Sequence, residues 1–213
     1  MKSKAGVVCV VLGVLLILGA LLLAAYNMRQ DVAARDAAAE VMPLLVEKIR
    51  ENTEDESADT GEDDPVQGEL QIPVELLTEE DKKMTEIEID GYAYIGYLSI
   101  PSLSLELPVM SSWSYDQLDI APCRYSGSVR GEDLVVMAHN YRYHFGTLSR
   151  LNVGDEVSFT DMDGVTTRYR VEAMDILEST AVETMTSGEF DLTLFTCTYS
   201  GQSRITVYCN IES

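Results

Sequence analysis

DLTLFTCTYSGQSRITVYCNIE, residues 191–212, decides how the rest of the chain is read. Two runs with strand-like alternation, 191–199 and 203–212, flank a short polar connection of serine, glycine and glutamine. Such a pair reads as two neighbouring antiparallel strands. Successive side chains of a strand point to opposite faces, so parity sorts the residues. In the second run Ile205, Val207, Cys209 and Ile211 share the core face, which makes Cys209 a small buried hydrophobe. Arg204 points the other way. In the first run Leu192 and Leu194 take the core face, so Thr193, Phe195 and Cys197 project from the other, on the side of Arg204. The short connection then brings Cys197 and Arg204 together across the turn.

The same short strand-like pattern extends back toward residue 89. YAYIGYLSIP (92–101), SLELPVM (104–110), DLVVMAHN (133–140), EVSFTD (156–161) and VTTRYRVEAMDIL (165–177) are strand candidates, the last two flanking a Met-Asp-Gly turn at 162–164. SYDQLDI (114–120) and FGTLSRL (145–151) read as short helices. About eight short strands with little helix predict a mainly β domain, a closed barrel or a sandwich. No internal repeat and no Gly-rich phosphate loop is visible.

The N-terminal part is of a different kind. Ala5–Tyr26 is 22 residues without a charge. At about 1.5 Å per residue it spans a hydrocarbon core of roughly 30 Å. It reads as an uncleaved anchor, because a cleavable leader has a shorter apolar region and a small-x-small exit. Lys2 and Lys4 favour a cytoplasmic N-terminus with the bulk of the chain outside, although Arg29 and Arg35 weaken the asymmetry. Residues 29–50 predict a helix, interrupted or kinked at Pro43. ENTEDESADTGEDD, 51–64, holds eight acids and no base and predicts a disordered, solvated spacer. LLTEEDKKM (76–84) is a possible short helix. The expected organisation is an anchor at 1–28, a helical and acidic spacer at 29–88, and a β domain at 89–213.

With 15 basic against 36 acidic residues the chain carries a net charge of −21, which argues against nucleic acid as a partner. The four cysteines, Cys9, Cys123, Cys197 and Cys209, form no CxxC pair and no zinc-ligand spacing. Outside the anchor three remain, so at least one is unpaired within the chain. The partners of a reactive thiol would be as follows. An arginine beside a thiol favours the thiolate and offers a rigid fork of donors to an oxyanion. A leaving amine needs a proton carrier, and histidine is the usual one. Of the two histidines, His139 ends the apolar run DLVVMAHN and would sit rigidly at a sheet rim, whereas His144 is suited to capping or local packing.

These residues carry a resemblance. TLFTC (193–197) matches the TLxTC signature of the sortases, cysteine transpeptidases of Gram-positive bacterial surfaces. Arg204 follows on the next strand as the sortase arginine does, and His139 stands in a similar AHN context. IGYLSIPSLSLELPV (95–109) resembles the family's first strands, with its Ile-Gly-x-x-x-Ile-Pro and Leu-Pro-Val elements. The likeness covers roughly residues 90–212. It implies an eight-stranded sortase-type β barrel with short helices behind an N-terminal transmembrane helix. It further implies that Cys197 attacks the Thr-Gly carbonyl of an LPxTG-like sorting signal, that His139 protonates the departing amine, and that Arg204 holds substrate and oxyanion. The partners implied are surface proteins bearing that C-terminal signal, an amine acceptor (a peptidoglycan precursor or a pilin lysine), and membrane lipid through residues 5–26. No cofactor or metal is implied.

The loop at 179–190 is expected to shape the sorting-signal pocket through Val182, Met185 and Phe190, with Thr196 and Phe195 beside the cysteine. TCTY resembles class B, but the helical insertion of that class is missing, and no Asp-Pro-aromatic lid of class C precedes the domain. The expectation is a class B- or D-like member. The region 111–127 departs from the family's spacing, and the resemblance assigns no role to Cys123. A cysteine hydrolase with the same three residues, and a tethered binding module without chemistry, are the competing readings. An L,D-transpeptidase would carry a His-Gly-Cys type signature, which is absent.

Overall fold

The computed structural model describes residues 4–59, 74–78 and 80–212. Nine strands form one sheet among them: β1 (Ile87–Ile89), β2 (Tyr92–Ile100), β3 (Leu105–Met110), β4 (Cys123–Ser126), β5 (Leu134–Ala138), β6 (Glu156–Asp161), β7 (Thr166–Glu178), β8 (Leu192–Cys197) and β9 (Ser203–Ile211). The order β2-β3-β4-β5-β8-β9-β7-β6 returns to its start, because β6 also pairs with β2. The expected eight-stranded barrel is therefore closed, and closure leaves those strands no long free edge. β1 is an addition that the sequence did not announce. It pairs with the first residues of β2, beside the stretch that β6 covers.

The barrel interior is filled by the inward residues of these strands, among them Leu98, Val136, Val157, Phe159, Leu192, Leu194, Val207 and Cys209. Parity along β8 and β9 is as expected from Leu192 to Cys209, whereas Ile211, at the end of β9 and beyond the core, is exposed. Cys209 lies in this core, where burial pushes its thiol up to about 12.

β2 changes its pairing register at a bulge between Tyr94 and Gly96. Gly96 has φ +143°, and a Cβ there would lie 2.1 Å from the Thr160 carbonyl oxygen of β6. Gly96→Ala is expected to cost about 2–4 kcal/mol, as overlap and strain at a special backbone position do. The check is a lowered urea midpoint at unchanged slope.

The N-terminal helix α1 runs from Lys4 to Asp59 without interruption. Its first part is long and apolar enough to cross a membrane, and the barrel covers none of that stretch. Pro43 does not break it. Pro43 and Ala39, whose carbonyl loses its usual donor, both lie on the exposed side, where water replaces the bond. The helix also continues through 51–59, where composition predicts disorder. Lys48–Glu51 (2.8 Å) and Arg50–Glu54 (3.9 Å) pairs support this last part along the helix surface. Residues 60–64 of the acidic stretch lie outside the described residues.

Beyond the membrane-length stretch α1 packs on the barrel. Ala34, Ala38, Val41, Leu45 and Ile49 recur at three- and four-residue spacing and are buried. Val41, Leu45 and Ile49 cover a second apolar cluster outside the barrel, with Tyr94, Met110, Leu118, Ala121, Cys123 and Met162. Cys123 is a packing residue there, its thiol pushed up to about 12 by burial. Asn52 caps the contact by donating to the Met162 carbonyl at 3.2 Å.

The remaining helices are single turns. In α2 (Tyr115–Leu118) the Ser114 hydroxyl accepts from the Gln117 N–H at 3.2 Å. α3 is Val182–Met185. The expected helix at 145–151 is a 3₁₀ segment, Phe145–Arg150. The described residues of 77–84 form turns and extended chain rather than a helix.

Candidate active site

Strands β5 and β8 run parallel and in step, Ala138 opposite Thr196. The residue after each pair member, His139 and Cys197, therefore emerges at the same rim of the barrel. Thr196 ties the two ends together, its buried hydroxyl donating to the Ala138 carbonyl at 2.8 Å. Across the antiparallel β8–β9 ladder Cys197 stands directly opposite Arg204. His139, Cys197 and Arg204 thus occupy consecutive places across three neighbouring strands. Arg204 is braced by the tight β8–β9 turn: its Nη1 donates to the carbonyls of Gly201 (3.0 Å) and Ser203 (3.1 Å).

All three residues line one cleft of about 230 Å³. Its lining is largely apolar: Phe195, Met185, Tyr125 and Met137 face it and pack in one cluster with Val135 and Leu177 behind them. Val182 and Met185 of α3 wall one side, as the sequence suggests, and Thr196 reaches the cleft although its hydroxyl is committed to Ala138. Phe190 is not brought there. It stacks on Tyr208 with ring centroids 4.6 Å apart. It precedes β8, whose far end carries Cys197, and at about 3.3 Å per residue a strand of that length separates the two.

The opposite wall comes from the region whose spacing departs from the family. Trp113 stacks on Tyr125 at 6.1 Å, Tyr125 meets Phe195 edge-on at 5.4 Å, and Tyr115 meets Trp113 edge-on at 6.2 Å. Sequence reasoning missed these aromatics. The signal that was available is the chain's single tryptophan, set in the polar run SSWSYD.

His139 is partly buried, and burial holds its ring below the ordinary histidine range, opposed by the nearby Asp119 carboxylate. Asp119 Oδ1 lies 3.5 Å from His139 Nε2 and accepts from the Tyr141 hydroxyl at 2.6 Å. The loop that follows His139 is docked on α1. The Arg142 N–H donates to Asp31 at 2.9 Å, and Arg35 lies over the Tyr143 ring at 5.3 Å. Among the described residues no group of three or more His, Cys, Asp or Glu side chains converges as metal ligands.

His144 packs locally, as its position suggests, and more deeply than expected. It has no exposed surface, with backbone oxygens of Ala34 and Ile120 close by, and burial pushes it down to about 4. The folded chain therefore keeps this ring neutral while the unfolded chain takes up a proton near pH 6.5. Native stability is present above that value and falls as pH drops from about 6.5 toward 4, by on the order of 3 kcal/mol from this group. His144→Gln is expected to flatten that slope in urea midpoints measured between pH 7 and 4.5.

A sortase domain model matches residues 98–212. Among solved structures, sortase A from Corynebacterium diphtheriae aligns with a TM-score of 0.53 and 22% identity, over 57% of this chain and 62% of that one. Sortase C from Clostridium perfringens SM101 aligns with a TM-score of 0.51 and 20% identity, over 89% of this chain and 97% of that one. A pilus-related sortase C of Group B Streptococcus gives 0.51 and 21%, over 64% and 77%. The chain thus spans somewhat under two thirds of the Corynebacterium enzyme. These structural likenesses establish the fold, and at such identities they do not separate the classes. A comparison with curated proteins returned no match.

Proposed function

Because the chain belongs to the sortase family, we propose that it is a membrane-anchored cysteine transpeptidase acting on proteins with an LPxTG-like sorting signal. The observation that carries this reading is the alignment of His139, Cys197 and Arg204 across β5, β8 and β9 at one apolar cleft. The cleft suits an extended, largely apolar peptide. The Cys197 thiolate attacks the scissile carbonyl, and Arg204 donates to the oxyanion that develops. The tetrahedral adduct collapses as the imidazolium of His139 gives its proton to the leaving amine. The remaining acyl group is a thioester on Cys197. An incoming amine then loses a proton to His139, attacks the thioester and expels the thiolate, which restores the starting state.

The amine comes from a peptidoglycan precursor or a pilin lysine. The apolar segment anchors the chain with its N-terminus in the cytoplasm and the barrel outside. Asp31, five residues past Tyr26, already touches the barrel through Arg142, which supports a cleft close to the bilayer rather than one lifted on a long spacer.

The test uses the full chain in detergent with a library of LPxTG-like peptides, with and without amine acceptors, followed by mass spectrometry. The expected result is an acyl adduct on Cys197 and an amine-dependent product. An adduct resolved only by water points to a hydrolase. A folded chain that forms no adduct with any peptide overturns the reading and leaves a binding module.

A further inference from the structure

Asp119 directly follows α2, next to Leu118 of the cleft lining, with its carboxylate turned toward the histidine. One oxygen, Oδ1, lies 3.5 Å from His139 Nε2 and accepts the Tyr141 hydroxyl at 2.6 Å. The Tyr141 ring is held in turn between two imidazoles, with centroids 5.0 Å from His139 and 5.6 Å from His144. The tyrosine thus sets the direction of the carboxylate, and the carboxylate faces one definite ring nitrogen, leaving Nδ1 as the nitrogen not facing the carboxylate.

We propose that Asp119, oriented by Tyr141, is a positioning residue for His139: it fixes the ring orientation and favours the imidazolium that supplies the leaving amine's proton. The proposal rests on His139 acting as the acid and base of the reaction. Its physical basis is a balance. Burial at the rim disfavours a charged ring, and an adjacent carboxylate opposes that penalty.

Other groups also face the ring, and the Cys197 thiolate of the proposed reaction favours the imidazolium as well. Tyr141 and His144 share its loop, and His144 stays neutral. Cys197 and Arg204 line the cleft from β8 and β9, and Tyr115 lines it from α2. Asp31 and Arg35 of α1 engage Arg142 and Tyr143, further along the loop. Asp119 is the carboxylate in ion-pair range of His139 among the described residues.

The experiment titrates His139 by NMR in the full chain in detergent, with histidine-selective labelling and His144→Gln for assignment. The same samples give pH profiles of peptide cleavage. In Asp119→Asn the His139 midpoint is expected to fall and the rate profile to move to lower pH. Its kcat at neutral pH is expected to drop about tenfold or more, with KM within about twofold, as when an orienting carboxylate is lost elsewhere. Tyr141→Phe gives a smaller change in the same direction, and Asp119→Glu restores part of it. A midpoint that does not move in folded Asp119→Asn overturns the proposal, as does a shifted midpoint with unchanged rates. If the wild-type chain transfers no acyl group, the assigned function fails separately, and the titration still decides whether the carboxylate governs the ring.

Discussion

Cys197→Ala is expected to fold normally, to form no acyl adduct, and to lower turnover by at least about 10³-fold. The fold tolerates the change because the thiol is half-buried at a cleft, outside the two large apolar clusters. The strand pairing it belongs to is held by backbone bonds and by the Thr196–Ala138 contact. Cys123→Ala and Cys209→Ala behave oppositely. Both residues are fully buried, so truncation lowers stability while leaving the chemistry of any remaining folded chain intact. Arg204→Ala is expected to cost about 10²–10³ in kcat/KM, the typical cost of removing an oxyanion donor. Arg204→Lys recovers little, since an ammonium cannot brace on the Gly201 and Ser203 carbonyls and present a second donor in one rigid plane. Combining Cys197→Ala with Arg204→Ala is expected to cost hardly more than Cys197→Ala alone, because in the proposed reaction both side chains serve the same attack on one carbonyl. Adduct mass spectrometry and peptide-cleavage rates on the full chain and its variants read the activity outcomes, and urea midpoints read those of the two buried cysteines.

The second large effect concerns α1. A chain begun at residue 85 is expected to lose several kcal/mol of stability relative to one begun at residue 29. Val41, Leu45 and Ile49 lose their burial, and full burial of such side chains is worth about 1.5–3 kcal/mol each. The ordering entropy released with the helix offsets part of that. The uncovered patch around Tyr94, Met110 and Met162 favours self-association. Cys123 belongs to the cluster that the helix packs on, so in a Cys197→Ala background its thiol is expected to label faster in the shorter chain. Activity falls as well, because the loop after His139 loses its contacts to Asp31 and Arg35. Equal melting temperatures and equal Cys123 labelling in the two chains would count decisively against a structural role for the helix.

The legible parts of this protein are those in which a local pattern and a long-range requirement agree. Period-two alternation in 191–212 fixed the faces of Cys197, Arg204 and Cys209 before any neighbour was known, and the observed ladder pairs Cys197 with Arg204 directly. His139 was legible as the end of an apolar strand, but its closeness to Cys197 depends on β5 and β8 being parallel and in step, which a crossover of some fifty residues produces and no local pattern encodes. β4 was missed because CRYS is short and flanked by turn residues, and the aromatic wall was missed with it. Membership of the 179–190 loop suggests a place for Phe190 at the pocket, whereas the direction of β8 carries it to the other end of the strand, against Tyr208. The charge of the acidic run predicts disorder, yet its first residues extend a helix already fixed by packing upstream.

Composition and periodicity by themselves determined a membrane-length apolar helix, a β domain and the faces of its last two strands, because these depend on spacing along the chain. The closing of the barrel, the docking of α1 on the outer apolar cluster and beside the His139 loop, and the meeting of Asp119 with His139 were decided only in three dimensions. They join residues distant in sequence, and their energy comes from surfaces that exist only once the strands have paired.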